Sequence, residues 1–300
     1  MIKIAISFFF ILVINFSEAQ IMPINPTQLP EQEVALDSLK MLSWNIYMLP
    51  PMLKFTGKKK RSIHIANQLL TTDYDLIVFQ EAFHRGARRR MVKRMQTDYP
   101  YRIGPAFKSN FSIKTSDGIW IMSKFPIEEV DKIKYKAKKG IDRMAKKGAL
   151  MVKLNKNGQE FYVVGTHLNA AGSDDYRICQ LKQLKTELLD KYEKDSLPTI
   201  VAGDLNVDKY KRSLYDSMLG ILNVNDYKME GDLQLTYDYT KNTLAYGKSQ
   251  NWIDYIFLMQ HQLKVEDVKR EVKIIESPWS KKHQSLSDHH AVEMKLYYKK

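Results

Sequence analysis

Residues 199–206 read TIVAGDLN. A short run of β-branched and small apolar residues reads as a buried strand, and this one delivers Asp204 and Asn206 at its end. Residues two apart in an extended chain face the same side, so the carboxylate and the amide project together. Three other segments have the same form. DLIVFQE (75–81) closes on Glu81, FYVVGTH (161–167) closes on His167, and the run from Leu39 to Ile46 carries Asn45 near its end. Any one of these fits an exposed strand end or a turn cap. Together they supply hard oxygen donors, a neutral imidazole and an amide, the set that holds Mg²⁺ against a phosphate. No Cys/His spacing of a zinc site competes.

Outward from these segments, short apolar runs predict strands at 39–46, 75–80, 118–123, 148–154, 160–166, 198–203, 252–258 and 291–298. Amphipathic stretches predict helices at 62–71, 85–97, 176–194 and 210–219, the first with Ser62 as its N-cap. Asn155-Lys156-Asn157-Gly158 is a hairpin signal. Hairpins mixed with crossovers imply α/β layers built on mixed sheets. The chain has 300 residues, 44% of them hydrophobic, and no linker or repeat after the first forty, which favours one domain over residues 38–300.

The N-terminus reads differently. Met1 to Ala19 has a cation at Lys3, an apolar stretch from Ile4 to Ile14, and small residues at Ser17 and Ala19. That is the form of a signal peptide cleaved near Ala19, giving a secreted or exported product. The apolar stretch is short of the roughly 20 residues a spanning helix needs. Residues 20–37, with three prolines, form a lead-in. A single cysteine forbids an internal disulfide. Cys179 lies beside Ile178, Leu181, Leu184, Leu188 and Tyr192, which recur at helical spacing, and a buried thiol is the expectation.

The formal charge of +13 implies an anionic partner: nucleic acid, an anionic membrane or a phosphate ester. It gathers at Lys58 to Arg61, Arg88 to Arg90, and Lys138-Lys139 to Lys146-Lys147. Each cluster is equally well read as a solvated surface. Asp254 sits inside the apolar run WIDYIFL (252–258), where an unpaired charge is costly. Ser287-Asp288-His289-His290 supplies the natural partner, because a carboxylate on one ring nitrogen fixes the tautomer and lets the other act as base.

The ordered set of Asn45, Glu81, Thr166-His167-Leu168, Gly203-Asp204-Leu205-Asn206, Asp254-Tyr255-Ile256 and Ser287-Asp288-His289 resembles the endonuclease/exonuclease/phosphatase superfamily of metal-dependent phosphodiesterases, over roughly residues 38–298. The resemblance implies an α/β fold: a four-layer sandwich of two packed mixed β-sheets flanked by helices, deoxyribonuclease-like, with the site at one sheet edge. Within that superfamily the chain is most similar to secreted neutral sphingomyelinases, through Asn45-Ile-Tyr-Met-Leu-Pro50, Thr166-His-Leu-Asn-Ala-Ala171, Gly203-Asp-Leu-Asn-Val-Asp208 and the segment from Asp142 to Gly148. Nuclease and inositol-phosphatase relatives commonly place Arg after the aspartate of the penultimate motif, and Tyr255 here points toward a lipid. Some secreted sphingomyelinases carry a disulfide, which this chain cannot form, and an aromatic-tipped hairpin, which here becomes the Trp279 region. Trp279 as packing and Trp279 as an interfacial anchor both remain open.

The resemblance and the residue chemistry imply a mechanism. Glu81, Asn45 and Asp288 form the metal site for Mg²⁺ or another divalent cation. His289, oriented by Asp254, takes a proton from the attacking water. His167 and Asn206 donate to phosphate oxygens, Asp204 positions the water, and the metal site stabilises the ceramide leaving group. The implied partner is a sphingomyelin-containing membrane surface, the implied state a monomer. The rival readings are a secreted nuclease, which the charge suits, and a catalytically silent membrane-binding module. Two surface expectations complete the reading. Pro50-Pro51 cannot extend a ladder, so Tyr47 to Phe55 are expected to form a lip, with Met48, Met52, Leu53 and Phe55 toward lipid and Lys58 to Arg61 biasing it toward phosphates. Tyr47, Trp120 and Tyr246 are candidate aromatic faces for a quaternary ammonium.

Overall fold

The structure is a computed structural model, and it describes residues 36–50, 56–107, 116–137, 146–259 and 263–299. The expected signal peptide, the lead-in up to residue 35, Met52, Leu53, Phe55, Asp142 and Lys138-Lys139 lie outside these residues. The strands are β1 (Asp37–Asn45), β2 (Leu76–Gln80), β3 (Tyr101–Ile103), β4 (Trp120–Ser123), β5 (Ile127–Lys134), β6 (Gly148–Lys156), β7 (Gln159–His167), β8 (Thr199–Asp204), β9 (Val224–Asn225), β10 (Met229–Glu230), β11 (Tyr237–Asp238), β12 (Gln250–Asn251), β13 (Asp254–Met259), β14 (Val265–Lys273) and β15 (Ala291–Tyr298). The helices are α1 (Lys58–Leu69), α2 (Arg85–Met95), α3 (Asp174–Leu184) and α4 (Arg212–Leu222). A π turn, Lys185–Leu189, carries α3 onward into one further turn, Asp190–Tyr192.

One sheet has seven strands in the order β10-β14-β15-β1-β2-β4-β3, the other six in the order β5-β6-β7-β8-β13-β9. Both are mixed: β1 runs parallel to β2 and β7 to β8, while β1–β15, β6–β7 and β8–β13 are antiparallel. The period-2 pattern explains the layering. Leu39, Met41, Leu76 and Val78 join the core that contains Val163 and Ile200 of the other sheet, whereas Leu42, Trp44, Ile77 and Phe79 alternate to a second core with Ile65 and Leu69 of α1 and Met91 and Met95 of α2. Leu181 and Leu184 of α3 and Tyr215 and Met218 of α4 close the six-stranded sheet on its side. The result is helix, sheet, sheet, helix, the expected sandwich. Gly165 sets the approach of the sheets, because a Cβ there would stand 2.7 Å from Ile119 and 2.9 Å from Val78.

The hairpin signal is exact in register. Lys156 pairs with Gln159 across Asn157 (φ 52) and Gly158 (φ 91), both in the positive-φ region that a two-residue type I′ turn requires. Several expectations change. Helix α1 starts at Lys58, not after Ser62. Its N-cap is Gly57 (φ 61), where a Cβ would lie 2.2 Å from the Trp279 ring, so the start is set by a packing constraint and not by a side-chain cap. Ser62 Oγ instead donates to Lys59 O at 2.8 Å. Cys179 is exposed, because it falls off the buried stripe of Arg177, Gln180, Leu181 and Leu184. Strands β5 and β14 were missed because IEEVDKIK and VEDVKREVK are too charged to read as apolar runs.

The lip is also revised where it is described. Tyr47 and Met48 are buried, Met48 inside the core beneath α1 and α2. Lys58 and Arg61 are buried too. Arg61 donates to the carbonyls of Ile46 (3.1 Å), Tyr47 (2.6 Å) and Leu286 (2.5 Å), so half of that cationic cluster is an internal brace. Trp120 is core, stacked on Phe79. Trp279 is buried against Gly57, donates to Ser285 O at 2.8 Å and stacks on His283, which is packing and not an exposed anchor.

Candidate active site

The strand register assembles the site. Parallel pairing of β7 with β8 sets His167 opposite Asp204, and antiparallel pairing of β13 with β8 sets Asp254 opposite the same residue. Three polar strand ends therefore form one row. Gly203 makes this possible, since a Cβ there would lie 1.9 Å from Thr166 O. In the facing sheet, β1 and β2 end side by side at Asn45 and Gln80, and the next residue, Glu81, adopts φ 54. Tyr47 (φ 51) and Asn206 (φ 50) share that left-handed conformation. Three non-glycine residues with positive φ at the ends of site strands mark stored backbone strain of the kind concentrated at functional sites.

His289 Nδ1 lies 2.8 Å from Asp254 Oδ2, and its Nε2 lies 3.8 Å from Asp204 Oδ2. Burial opposes a charged His289, yet Asp254, Asp204 and Asp288 together raise its pKa well above the usual range. Asp204 Oδ2 also accepts from Asn45 Nδ2 at 3.0 Å, and its Oδ1 accepts from Asn206 N at 3.1 Å. Burial and the neighbouring Asp254 push the Asp204 carboxyl up to about 7. Asn206 Nδ2 donates to Leu168 O at 3.2 Å.

His167 Nε2 sits between Lys147 Nζ at 3.0 Å and Asp204 Oδ2 at 3.3 Å, and Lys147 Nζ also donates to Leu168 O at 2.6 Å. Its Nδ1 is buried with no hydrogen-bond partner. Burial, Lys147 and His289 hold the His167 pKa well below its ordinary value, which keeps the ring neutral.

Glu81 has the opposite problem. Its Oε2 is buried without a hydrogen-bond partner, and burial together with Asp288 pushes its pKa up to about 8. Asp288 is itself raised by burial, and its Oδ1 lies 3.3 Å from Ser287 Oγ. A buried carboxylate in this state requires a proton or a cation, so the donor set fits a divalent ion. Asp204, Asp254 and His289 are also close enough to share an ion, with ligand atoms within 4.8 Å of one another. Using them so would break the bond between Asp254 and His289.

All eight residues expected at the site converge here. Four contributors had been given no fixed role at the site. Lys147 belongs to a cationic cluster that was equally open to an anionic partner and to a solvated surface. Tyr237 packs edge-on against His289 with ring centroids 5.2 Å apart. Thr236 Oγ1 accepts from Ile253 N at 3.0 Å and Asp254 N at 3.1 Å while its carbonyl accepts from His290 N at 2.7 Å, tying the two halves of the dyad together. Ser287 Oγ donates to Asn45 O at 2.5 Å, which fixes the final loop to β1.

The chain is 32% identical over 260 residues to a sphingomyelinase C of Leptospira interrogans, covering 76% of this chain and 46% of that protein. It thus spans about half the length of those relatives. It is 28% identical over 288 residues to a phospholipase C of Staphylococcus aureus, covering 85% of this chain and 86% of the relative. A crystal structure of a Staphylococcus aureus beta toxin mutant with bound magnesium ions superposes with a TM-score of 0.76 at 27% identity, over 88% of this chain and all of that one. The profile of the Endonuclease/Exonuclease/phosphatase family matches residues 42–289, from the middle of β1 to the imidazole of the dyad, and on that span the chain belongs to this family.

Proposed function

We propose that the protein hydrolyses the phosphodiester of sphingomyelin to ceramide and phosphocholine with the help of a divalent cation, Mg²⁺ by expectation. The observation that carries the reading is the Asp254–His289 pair at 2.8 Å beside Glu81, a buried carboxylate with an unpartnered oxygen. Similarity to a sphingomyelinase C and a phospholipase C supplies the substrate class.

Asp254 accepts a hydrogen bond from Nδ1–H of His289, which leaves Nε2 to take a proton from water as its oxygen attacks phosphorus. The bond from phosphorus to the ceramide oxygen breaks, that oxygen takes a proton from solvent water, and His289 returns its own proton to solvent. Asp204, 3.8 Å from Nε2, holds the water. His167 and Asn206 donate to the phosphate oxygens as charge builds, and Lys147 helps keep the His167 ring neutral. Glu81, Asp288 and the amide oxygen of Asn45 would hold the cation. Bound there, it would stabilise the charge growing on the phosphate and, by offsetting Asp288, free His289 to accept a proton near neutral pH.

We further infer a signal segment at residues 1–19, a lead-in at 20–37 and a single catalytic domain at 38–300, exported and acting as a monomer. The net charge favours one second reading, a nuclease of the same family. Purified protein with Mg²⁺ is offered sphingomyelin vesicles, phosphatidylcholine vesicles and duplex DNA in parallel. Phosphocholine release from sphingomyelin without strand breaks is expected, and DNA cleavage without lipid turnover would replace the proposal.

A further inference from the structure

The two helical layers follow opposite charge rules. On the six-stranded side, α3 opens with Asp174 and Asp175 and closes with Lys182, matching its dipole. Four cations on that side pair with carboxylates: Lys136 with Glu187, Lys185 with Asp190, Lys191 with Asp131, Arg212 with Asp216. On the other side, α1 and α2 contain ten Lys or Arg and no carboxylate.

The fold accounts for five of the ten. Lys58 donates to Pro50 O, Arg61 braces three carbonyls, Arg88 donates to Ala82 O, and Arg90 and Arg94 donate to the carbonyls of Gly86 and Arg90. Lys59, Lys60, Arg85, Arg89 and Lys93 are exposed, and none forms an ion pair among the described residues. Arg85, Arg89 and Lys93 recur every fourth residue and form one stripe. Lys59, Lys60 and Arg85 also lie in first turns, where the helix dipole disfavours cations. A surface serving solubility alone mixes both signs, as the opposite layer does.

The position of this face supplies its purpose. Helix α2 begins four residues after Glu81, and the N-terminus of α1 is braced by Arg61 to the chain just beyond Asn45. Lys281 and Lys282 extend the face across a cleft of about 450 Å³ that Thr56, Gly57 and Trp279 also line. We propose that α1, α2 and the Lys281-Lys282 loop dock on a membrane containing anionic lipid, bringing the site mouth against the bilayer. The orientation rests on the lipid-substrate reading; the docking itself does not. Neither helix exposes an aromatic ring on which bases would stack. Unpaired cations beside a catalytic mouth match an anionic lipid surface, where each contributes about fivefold to partitioning.

The test is sedimentation of purified protein with phosphatidylcholine vesicles, with and without phosphatidylglycerol. Wild type partitions more strongly onto the anionic vesicles, and added salt reverses this. Arg85→Glu, Arg89→Glu and Lys93→Glu together reduce that partitioning by roughly tenfold or more. Lys182→Glu, Lys191→Glu and Arg212→Glu, with the same change in net charge on the opposite layer, reduce it by less than about threefold. Both triples keep their circular dichroism and their turnover of a soluble choline phosphodiester. If the α2 triple does not fold, Lys59→Gln with Lys60→Gln and Lys281→Gln gives the same weakening on a smaller scale. Equal losses in the two triples, no preference of wild type for anionic vesicles, or a loss confined to duplex DNA binding would each overturn the proposal. Binding that persists on anionic vesicles also containing sphingomyelin, without phosphocholine release, supports the docking face and removes sphingomyelin as the substrate.

Discussion

Strand β2 has a buried carboxylate at each end, and the two are treated differently. Before its first residue stands Asp75, whose Oδ2 accepts from Lys40 N at 2.8 Å and from Lys156 Nζ at 2.6 Å. Lys156 reaches on to Ser38 O and lies over the Phe125 ring. After the last residue stands Glu81, with Oε2 unpartnered and its pKa pushed up to about 8. Strand β6 repeats the contrast, with Lys156 neutralising a carboxylate at one end and Lys147 turned onto a neutral imidazole at the other. At Asp75 the chain saturates the buried carboxylate itself. At Glu81 it leaves an oxygen unmatched, which a proton or a cation from solution would satisfy.

The sharpest way to test that distinction is to remove one side chain from the site and one from the Asp75 end of β2. His289→Ala lowers turnover of sphingomyelin by about 10²- to 10⁴-fold while leaving the fold intact. A loss below about tenfold would take His289 out of the base role. Lys156→Met leaves turnover nearly unchanged but strands Asp75 as an uncompensated buried charge, which costs about 3–5 kcal/mol of stability. Urea denaturation and vesicle turnover on both variants check the pair. If both variants lose turnover equally, the site and the Asp75 end are not separate in function.

A conservative change of carboxylate to amide should act with opposite sign at the two ends. Asp75→Asn removes the charge that Lys156 needs and destabilises by about 1–3 kcal/mol. Glu81→Gln removes a charge that has no partner, so in chelating buffer it leaves stability unchanged or raises it by about 1–2 kcal/mol. The same variant flattens the Mg²⁺ dependence of activity. Thermal unfolding in chelator and a Mg²⁺ titration of turnover separate the outcomes, and an unchanged titration would remove Glu81 from the metal site.

Much of this was legible in the chain because sheets convert sequence order into spatial order. Four apolar runs ending in polar residues, packed by the period-2 rule, leave little choice about where Asn45, Glu81, His167 and Asp204 converge. Lys147 was also recoverable. The two-residue turn at Asn157-Gly158 pairs Lys156 with Gln159, and counting back along that hairpin sets Gly148 opposite His167 and Lys147 opposite Leu168. Thr236 and Tyr237 carried no such signal, since they lie in a segment with no long periodic run and reach the dyad only through tertiary packing. The exposure of Cys179 and the inward turn of Arg61 were hidden for a related reason. Composition marks a residue as apolar or cationic, but which face of a helix is covered depends on what packs against it.

Proton competition gives the smallest and most specific reading of the contrast. Glu81 and Asp204 have pKa values of about 8 and 7, above their ordinary 4.5 and 3.8, so ionising them disfavours the metal-free fold. For a carboxyl raised in this way, the metal-free protein gains stability as pH falls through the raised value. His289, also raised, contributes stability that is lost as pH rises, in the same direction. His290 works the other way. Burial lowers its pKa to about 4 from 6.5, so the stability of its neutral state is lost as pH falls below 6.5. The clean window therefore lies between pH 6.5 and about 8. Within it, the rise in melting temperature produced by Mg²⁺ should be larger at the alkaline end, because fewer protons compete for the site. A difference of a few degrees is expected, at about 2–4 °C per kcal/mol for a domain of this size. Asp75→Asn should keep this slope and Glu81→Gln should lose most of it. A slope unchanged by Glu81→Gln would mean that the unmatched oxygen at that end of β2 is not where the cation enters.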